Sequence, residues 1–353
     1  MHLFARIARF AVILAAIAFV VDHGRARAQS SSHEAEKAFI FGAGSTFAAP
    51  LYDGWIKAFV KNRPTVAISY DAVGSGEGTN RFITGSIDFA GTDAPLEDKE
   101  AAMVQGRVLQ IPSTAGIIVL AYNLSGFKGD LRLPRDLYPE ILAGNVRNWD
   151  DPRLQAANPA VKLPHRSIVV VARLDSSGTT YALTRHLGAI STAWRDNGPG
   201  VGKLVSWRGA MLGRGNEGVA QKIKISDGVI GYVEFGFAER LGLAMAALEN
   251  SAGRFVRPTE EAGRATMAAA GDDVPEDLRT YLADPKGEDS YPIITLSWLL
   301  LHERNRDPAK SAALKEFVGW GLTEGQAFSI KLGYVPLPAA VGTRALQALA
   351  GIS

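Results

Sequence analysis

Val169-Val170-Val171-Ala172-Arg173-Leu174-Asp175-Ser176-Ser177-Gly178-Thr179-Thr180 is the stretch on which the reading of this chain turns. A β-branched run leads into an arginine, an acid and a small hydroxyl-rich turn. Tyr181-Ala182-Leu183-Thr184-Arg185-His186-Leu187 then reads as a helix. A strand feeding a Ser/Gly/Thr turn at a helix start offers unpaired backbone N–H groups, hydroxyls and the positive end of the helix dipole. Those groups bind anions, and Arg173 adds a fork of donors suited to oxyanions. The same residues also make an ordinary helix N-cap, so the segment alone leaves both readings open.

Similar turns recur upstream. Ala38 to Phe41 reads as a short strand running into Gly42-Ala43-Gly44-Ser45-Thr46-Phe47. Phe47, Leu51, Trp55 and Phe59 then recur every four residues, a helical stripe that stops near Pro64. Pro50, tolerated in a first helical turn, places the helix start close to Ser45–Ala49, with Thr46 and Phe47 at its rim. Val66, Ile68 and Tyr70 alternate as a half-buried strand. Gly74-Ser75-Gly76-Glu77-Gly78 is expected to be a freely flexing turn, followed by a short helix at Thr79–Ile83. Ile87 to Asp93 is a further strand, ending in an acid. Alternating strands and helices imply an α/β fold with mainly parallel strands, in which ligands sit at the carboxyl ends of strands. The glycine, serine and threonine turns all occupy such positions.

At 353 residues the chain fits two domains, with ordinary apolar content and a large core available. Arg6 and Arg9 precede an apolar run from Phe10 to Val21, and Ala26-Arg27-Ala28 offers a cleavage site, so Met1–Ala28 reads as a secretory signal. Four arginines against one aspartate give that segment +3; from the chain's +2, the remainder stands at −1. A near-neutral mature chain argues against nucleic acid or anionic lipid as partner. No cysteine is present, hence neither disulfide nor lipid-attachment site. The mature protein is expected to be exported and soluble.

A long apolar strand from Gly116 to Tyr122 begins a second region, which includes helix-like Arg135–Ala143, the strand to Arg173 and a strand at Val229–Val233. After a polar turn at Pro285–Asp289 and the apolar run Ile293–Leu301, helices are expected at Ala309–Leu322 and Ala339–Ala350. With no low-complexity linker, the expectation is two lobes joined by a hinge. They divide as 29–118 and 290–353 for the first lobe and 119–289 for the second.

Gly213-Arg214-Gly215-Asn216-Glu217-Gly218 matches the dinucleotide fingerprint, but Leu204–Leu212 before it is a poor strand; a glycine-rich turn before a helix at Val219–Ile223 is the better reading. The six histidines, at 2, 23, 33, 165, 186 and 302, lack metal-binding spacing, which speaks against metal or histidine-based catalysis.

With these turns in place, the chain resembles the periplasmic phosphate-binding proteins of bacterial phosphate-specific ABC transporters. Their Gly-Ala-Gly-Ala-Thr-Phe-Pro-Ala-Pro resembles Gly42–Pro50. Their Gly-Ser-Ser-Gly turn looks like Gly74-Ser75-Gly76, and Asp-Phe-Gly-Ala-Ser-Asp-Ala-Pro-Leu is similar to Asp88–Leu96. Arg-x-Asp-Gly-Ser-Gly-Thr matches Arg173–Thr179, and Asn148–Pro152, Gly228–Glu234 and Lys286–Ile293 agree as well. The similarity runs from about Ala38 to Pro336.

The resemblance implies a two-lobed, type II-like binding-protein fold, each lobe a mixed sheet flanked by helices, with a hinge of crossing strands. It implies capture of inorganic phosphate in an interlobe cleft and delivery to a membrane permease, by a periplasmic monomer without cofactor, metal or catalytic residues. Carried over, the phosphate ligands are Thr46, Phe47 through its backbone N–H, Ser75, Asp93, Arg173, Ser177, Gly178 and Thr179. Asp175 would hold the Arg173 guanidinium. Asp93 would accept the proton that hydrogen phosphate carries and sulfate lacks, and a site built around a ligand's donor rejects analogues without it by about 10⁴. Two departures stand out: Glu77 brings a second carboxylate beside Ser75, and Ser176 replaces a glycine, which matters if that position needs positive φ. The rival readings are a phosphate-ester hydrolase with Ser177 or Thr46 as nucleophile, and a phosphate scavenger or sensor without transport duty.

Overall fold

The first strand, β1 (Ala38–Gly44), alternates buried and exposed residues before its last three close into the core. It feeds α1 (Ala49–Val60), whose first turn holds Pro50. The stripe Phe47, Leu51, Trp55 and Phe59 is fully buried, each large side chain removing about 1.5–3 kcal/mol worth of apolar surface from water. Trp55 Nε1 donates to Gly325 O at 2.8 Å, so its one polar atom is satisfied. The structure, a computed structural model, describes residues 37–270, 275, 277–305 and 307–352; the secretory signal expected at Met1–Ala28 lies outside them.

β2 (Val66–Asp71) is followed by α2 (Ser75–Ile83), β3 (Phe89–Thr92) and the sixteen-residue β4 (Val108–Asn123). Then come β5 (Val169–Arg173), α3 (Gly178–Ile190), β6 (Met211–Gly213), α4 (Gly215–Ile225) and β7 (Val229–Glu234). The short β8 (Ala244–Met245) precedes β9 (Ile294–His302), α5 (Pro308–Leu322) and α6 (Ala339–Ala350). The strands form one sheet of order β2-β1-β3-β9-β4-β7-β5-β6, with β8 also pairing β4.

Parallel pairs occupy the two flanks, β2-β1-β3 and β7-β5-β6. The centre is antiparallel, because β9 runs against both β3 and β4, and β4 against β7. The sheet is therefore mixed, less parallel than strand–helix alternation alone suggests. β4 pairs β9 along its first part, as far as Ile117, and β7 from Ile118 onward. One continuous strand thus belongs to two half-sheets, and we refer to the β2-β1-β3-β9 side as the first half and the β7-β5-β6 side as the second.

Two sequence expectations need correction. Ser75-Gly76-Glu77-Gly78 is not a free turn but the first turn of α2. The strand expected from Gly116 begins eight residues earlier, at Val108. Leu204–Leu212 contributes only the short β6 before α4, in keeping with a glycine-rich turn at a helix start.

Candidate functional site

The glycine-, serine- and threonine-bearing turns within 42–47, 74–78, 88–93, 173–179 and 213–218 each follow a strand and precede a helix, at the junction of the two half-sheets. Six of the eight residues expected to hold the ligand (Thr46, Ser75, Asp93, Arg173, Gly178 and Thr179) are brought together there by direct contacts or through Asn216, and the other two, Phe47 and Ser177, adjoin Thr46 and Gly178 in the chain. On the first half, Ser45 and Thr46 follow β1, Ser75 opens α2 after β2, and Asp93 follows β3. Ser45 Oγ donates to Asp93 Oδ1 at 2.5 Å, and Ser297 Oγ, from β9, donates to the same oxygen at 2.6 Å. With Oδ1 filled, Oδ2 remains the carboxylate's acceptor for an incoming group. The Asp93 N–H donates to Ser75 Oγ at 3.3 Å. Phe47 is buried beside this turn, its ring 6.1 Å from that of Tyr334, whose hydroxyl donates to the Phe47 carbonyl at 2.5 Å.

Asp93 is 2% exposed. Burial pushes its carboxyl up to about 6, against hydrogen bonds from Ser297 and Ser45, the nearby Arg173 charge and a hydrogen bond from Thr179. Desolvation of a charged group dominates, and the hydroxyl donors recover only part of the cost.

On the second half, Arg173 ends β5 and Ser177 caps α3, its Oγ accepting from Thr180 N at 3.1 Å. The capping role and the anion-binding role coexist in one segment, because the cap uses the serine hydroxyl and leaves other helix-start N–H groups free. Asp175 does hold the Arg173 guanidinium. Nε donates to Asp175 Oδ1 at 2.9 Å, and Nη2 pairs with Oδ2. Nη1 donates to Thr179 Oγ1 at 3.3 Å. Of the five N–H donors of a guanidinium, these three bonds leave two, one on each terminal nitrogen. Burial alone would raise the Asp175 carboxyl, but the hydrogen bond and charge of Arg173, with the Gly215 N–H, hold it below the usual carboxylate range.

The halves are in close contact. At Gly178 a β-carbon would stand 2.5 Å from Ser75 Oγ and 2.8 Å from Asp93 N, so only glycine lets α3 approach the first half this closely. The Gly76 N–H donates to Ser176 O at 3.0 Å, a backbone bond from one half to the other. Lys203 Nζ and Glu100 Oε1 pair at 2.8 Å.

Both departures from the family pattern find a physical account. Ser176 does not need positive φ, since Leu278 is the single non-glycine residue with positive φ among those described. A β-carbon at Gly76 would collide with Ser176 Oγ. The family's serine and glycine have in effect exchanged sides: small at 76, hydroxyl-bearing at 176. Glu77 points along α2 to Arg81, at 2.8 Å, and Arg81 reaches Asp71 at 3.0 Å, all exposed.

Three site residues escaped sequence reasoning. Ser45 lay within a quoted turn, and Ser297 is one of the polar side chains in an otherwise apolar strand; each polar side chain buried there signals a partner. Asn216 belongs to the glycine-rich stretch weighed as a dinucleotide fingerprint. Its backbone N–H donates to Thr46 Oγ1 at 3.1 Å, and its Nδ2 donates to Thr46 Oγ1 at 3.0 Å and Thr179 Oγ1 at 3.2 Å. His186, by contrast, is committed elsewhere: its ring nitrogens meet Tyr138 Oη at 2.6 Å and Ala283 O at 2.7 Å, and burial pushes it down to about 4. It is neutral at pH 7 and occupied on both sides. Among the described residues no group of three His, Cys, Asp or Glu is placed to hold a metal ion.

Residues 25–324 match the model of the PBP superfamily domain. The phosphate-binding protein PstS of Haemophilus influenzae is 36% identical over 303 residues, covering 86% of this chain and 90% of that protein. PstS of Methanocaldococcus jannaschii is 36% identical over 352 residues, covering 92% and 90%. In three dimensions, the high-affinity periplasmic phosphate-binding protein PfluDING, bound with phosphate, superposes with a TM-score of 0.72 at 22% identity, over 87% of this chain and 92% of that one. The phosphate-binding protein from Stenotrophomonas maltophilia gives 0.72 at 20% identity, over 88% and 94%. The chain shares with these proteins an α/β fold with a mixed sheet flanked by helices, and it belongs to the PBP superfamily and, within it, to the PstS family of phosphate-binding proteins.

Proposed function

We propose that this protein captures inorganic phosphate between its two half-sheets and delivers it to the permease of a phosphate ABC transporter, acting as a periplasmic monomer. The ligand set is Thr46, the Phe47 N–H, Ser75, Asp93, Arg173, Ser177, Gly178 and Thr179. The lobes are 29–118 with 290–353, and 119–289. None of the described helices is long and apolar enough to cross a membrane.

One observation carries the ligand's identity: a buried carboxylate, Asp93, lies among hydroxyls and N–H donors with a single oxygen left over. An anion accepted there must bring a proton of its own. Hydrogen phosphate does; sulfate would set acceptor against acceptor. The protein is a binding protein and not an enzyme. Ser177 Oγ caps its own helix, Thr46 Oγ1 is engaged by Asn216, and His186 is tied up elsewhere, so neither candidate nucleophile has a base beside it.

Isothermal titration with phosphate and with sulfate, alongside a phosphomonoester turnover assay, tests the reading. Stoichiometric phosphate binding, at least about 10³-fold tighter than sulfate and without turnover, is expected. Equal affinity for sulfate, or catalytic release of phosphate, would overturn it.

A further inference from the structure

We infer that Asn216 is a positioning residue that locks the Thr46 hydroxyl as a proton donor toward the bound anion while tying the two halves of the site together through Thr179. The inference rests on the phosphate-binding reading above, and deepens it.

The proton inventory leads to it. Asn216 is fully buried at the start of α4. Its Oδ1 accepts from the backbone N–H of Glu234 at 2.9 Å. A backbone N–H can only donate, so the amide oxygen must face Glu234 and the amide nitrogen must face the threonines. Thr46 Oγ1 therefore accepts two N–H bonds, from Asn216 N and Nδ2. Thr179 Oγ1 accepts two as well, from Arg173 Nη1 and Asn216 Nδ2.

A hydroxyl has two acceptor lone pairs and one proton. With both lone pairs filled, each threonine has only its O–H left to offer, and that group donates: Thr179 to the Asp93 carboxylate, Thr46 to whatever acceptor enters the site. A free hydroxyl can rotate to suit either a donor or an acceptor; these two cannot. The site is thereby restricted to ligands that present an acceptor to Thr46, as an oxyanion does. Asn216 also reaches Thr46 on the first half and Thr179 on the second, so the same amide that orients the donors holds the closed arrangement. Loss of it should act chiefly on release, as interface changes usually do.

The test is a double-mutant cycle on phosphate affinity and dissociation rate with Asn216→Ala, Thr46→Val and the double variant. Asn216→Asp serves as a second, shape-preserving change, and thermal unfolding without ligand checks that each variant folds. Asn216→Ala should weaken phosphate about 10- to 100-fold through faster dissociation, and the double variant should lose little beyond Thr46→Val alone. Asn216→Asp, whose carboxylate draws the threonine protons to itself, should lose at least as much as Asn216→Ala. The inference is overturned, with phosphate binding itself intact, if either Asn216 variant binds within about twofold of wild type, or if the Asn216 and Thr46 effects simply multiply. Failure of the wild-type protein to bind phosphate would remove the functional reading and this inference with it.

Discussion

On the first half of the site an anionic side chain, Asp93, is met by hydroxyl groups; on the second a cationic one, Arg173, is met by a carboxylate. The two buried charges are treated in opposite ways. Asp93 keeps its desolvation cost, visible in a carboxyl pushed up to about 6, whereas Arg173 is balanced by Asp175 at close range. Counting Asp93 and Asp175 against Arg173, the site is formally −1 before any anion enters. Attraction by net charge thus cannot explain anion capture. Aligned N–H and O–H donors in a dry space can, because dipoles fixed in advance need no reorganisation. The half with the uncompensated charge is suited to choosing the ligand, and the half with the neutralised pair to holding it.

Asp93→Asn attacks the choosing half and should have the largest effect. Discrimination between phosphate and sulfate is expected to fall by up to about 10⁴ in paired titrations. The same variant should be more stable than wild type without ligand, and the pH dependence gives the sign. Asp93 titrates at about 6 in the fold against 3.8 ordinarily, so the folded state favours its protonated form. That contribution is present below pH 4 and is lost as pH rises through 6. Asparagine does not titrate. The gap should open between pH 4 and 6 and approach about 3 kcal/mol above it, measurable by urea unfolding.

Arg173→Gln attacks the holding half. It strands Asp175 as a buried charge without its partner, and both stability and phosphate binding should drop by about 3–5 kcal/mol, which is roughly 10²- to 5 × 10³-fold in affinity. Gly76→Ser probes the seam between the halves: its hydroxymethyl would meet Ser176, with a loss of about 1–3 kcal/mol in phosphate binding. Adding Ser176→Gly should restore most of that loss, and a double variant as weak as the single one would show that the seam is not complementary at this pair. Glu77→Ser should do least. Its carboxylate is exposed and directed to Arg81, and phosphate affinity should stay within about twofold in the same titration.

Much of this arrangement was legible in the sequence wherever the relevant residues are neighbours in the chain. Arg173 to Thr179 forms strand end, charge and helix cap in one run, and its role follows from local geometry. Ser297 was not legible, because its contact with Asp93 depends on β9 lying against β3 in the register that sets Trp298 opposite Thr92. Asn216 was misdirected by its glycines, which match a nucleotide motif although the amide's partners come from three other elements. The early part of β4 was hidden by Gln110, Pro112, Ser113 and Thr114, polar or strand-breaking residues inside a buried strand. Tertiary pairing overrode them: Ser113 Oγ, for instance, is within 2.8 Å of Tyr52 Oη. The small sheet of Arg132–Leu133, Ala247–Glu249 and Phe255–Val256 has strands too short to show any period.

The shared strand has a mechanical consequence. Between Ile117 and Ile118 the ladder partner of β4 changes from β9 to β7. A twist of the strand at that step would turn one half-sheet against the other, and the backbone bond it would strain is that from Ile118 N–H to Ile293 O, at 2.9 Å. The rest of the work of prying the halves apart falls on the side-chain and loop contacts that bridge them, such as Lys203 with Glu100 or Gly76 with Ser176. Residues that never touch the ligand can therefore retune how firmly it is held, simply by changing how hard the jaws are to open.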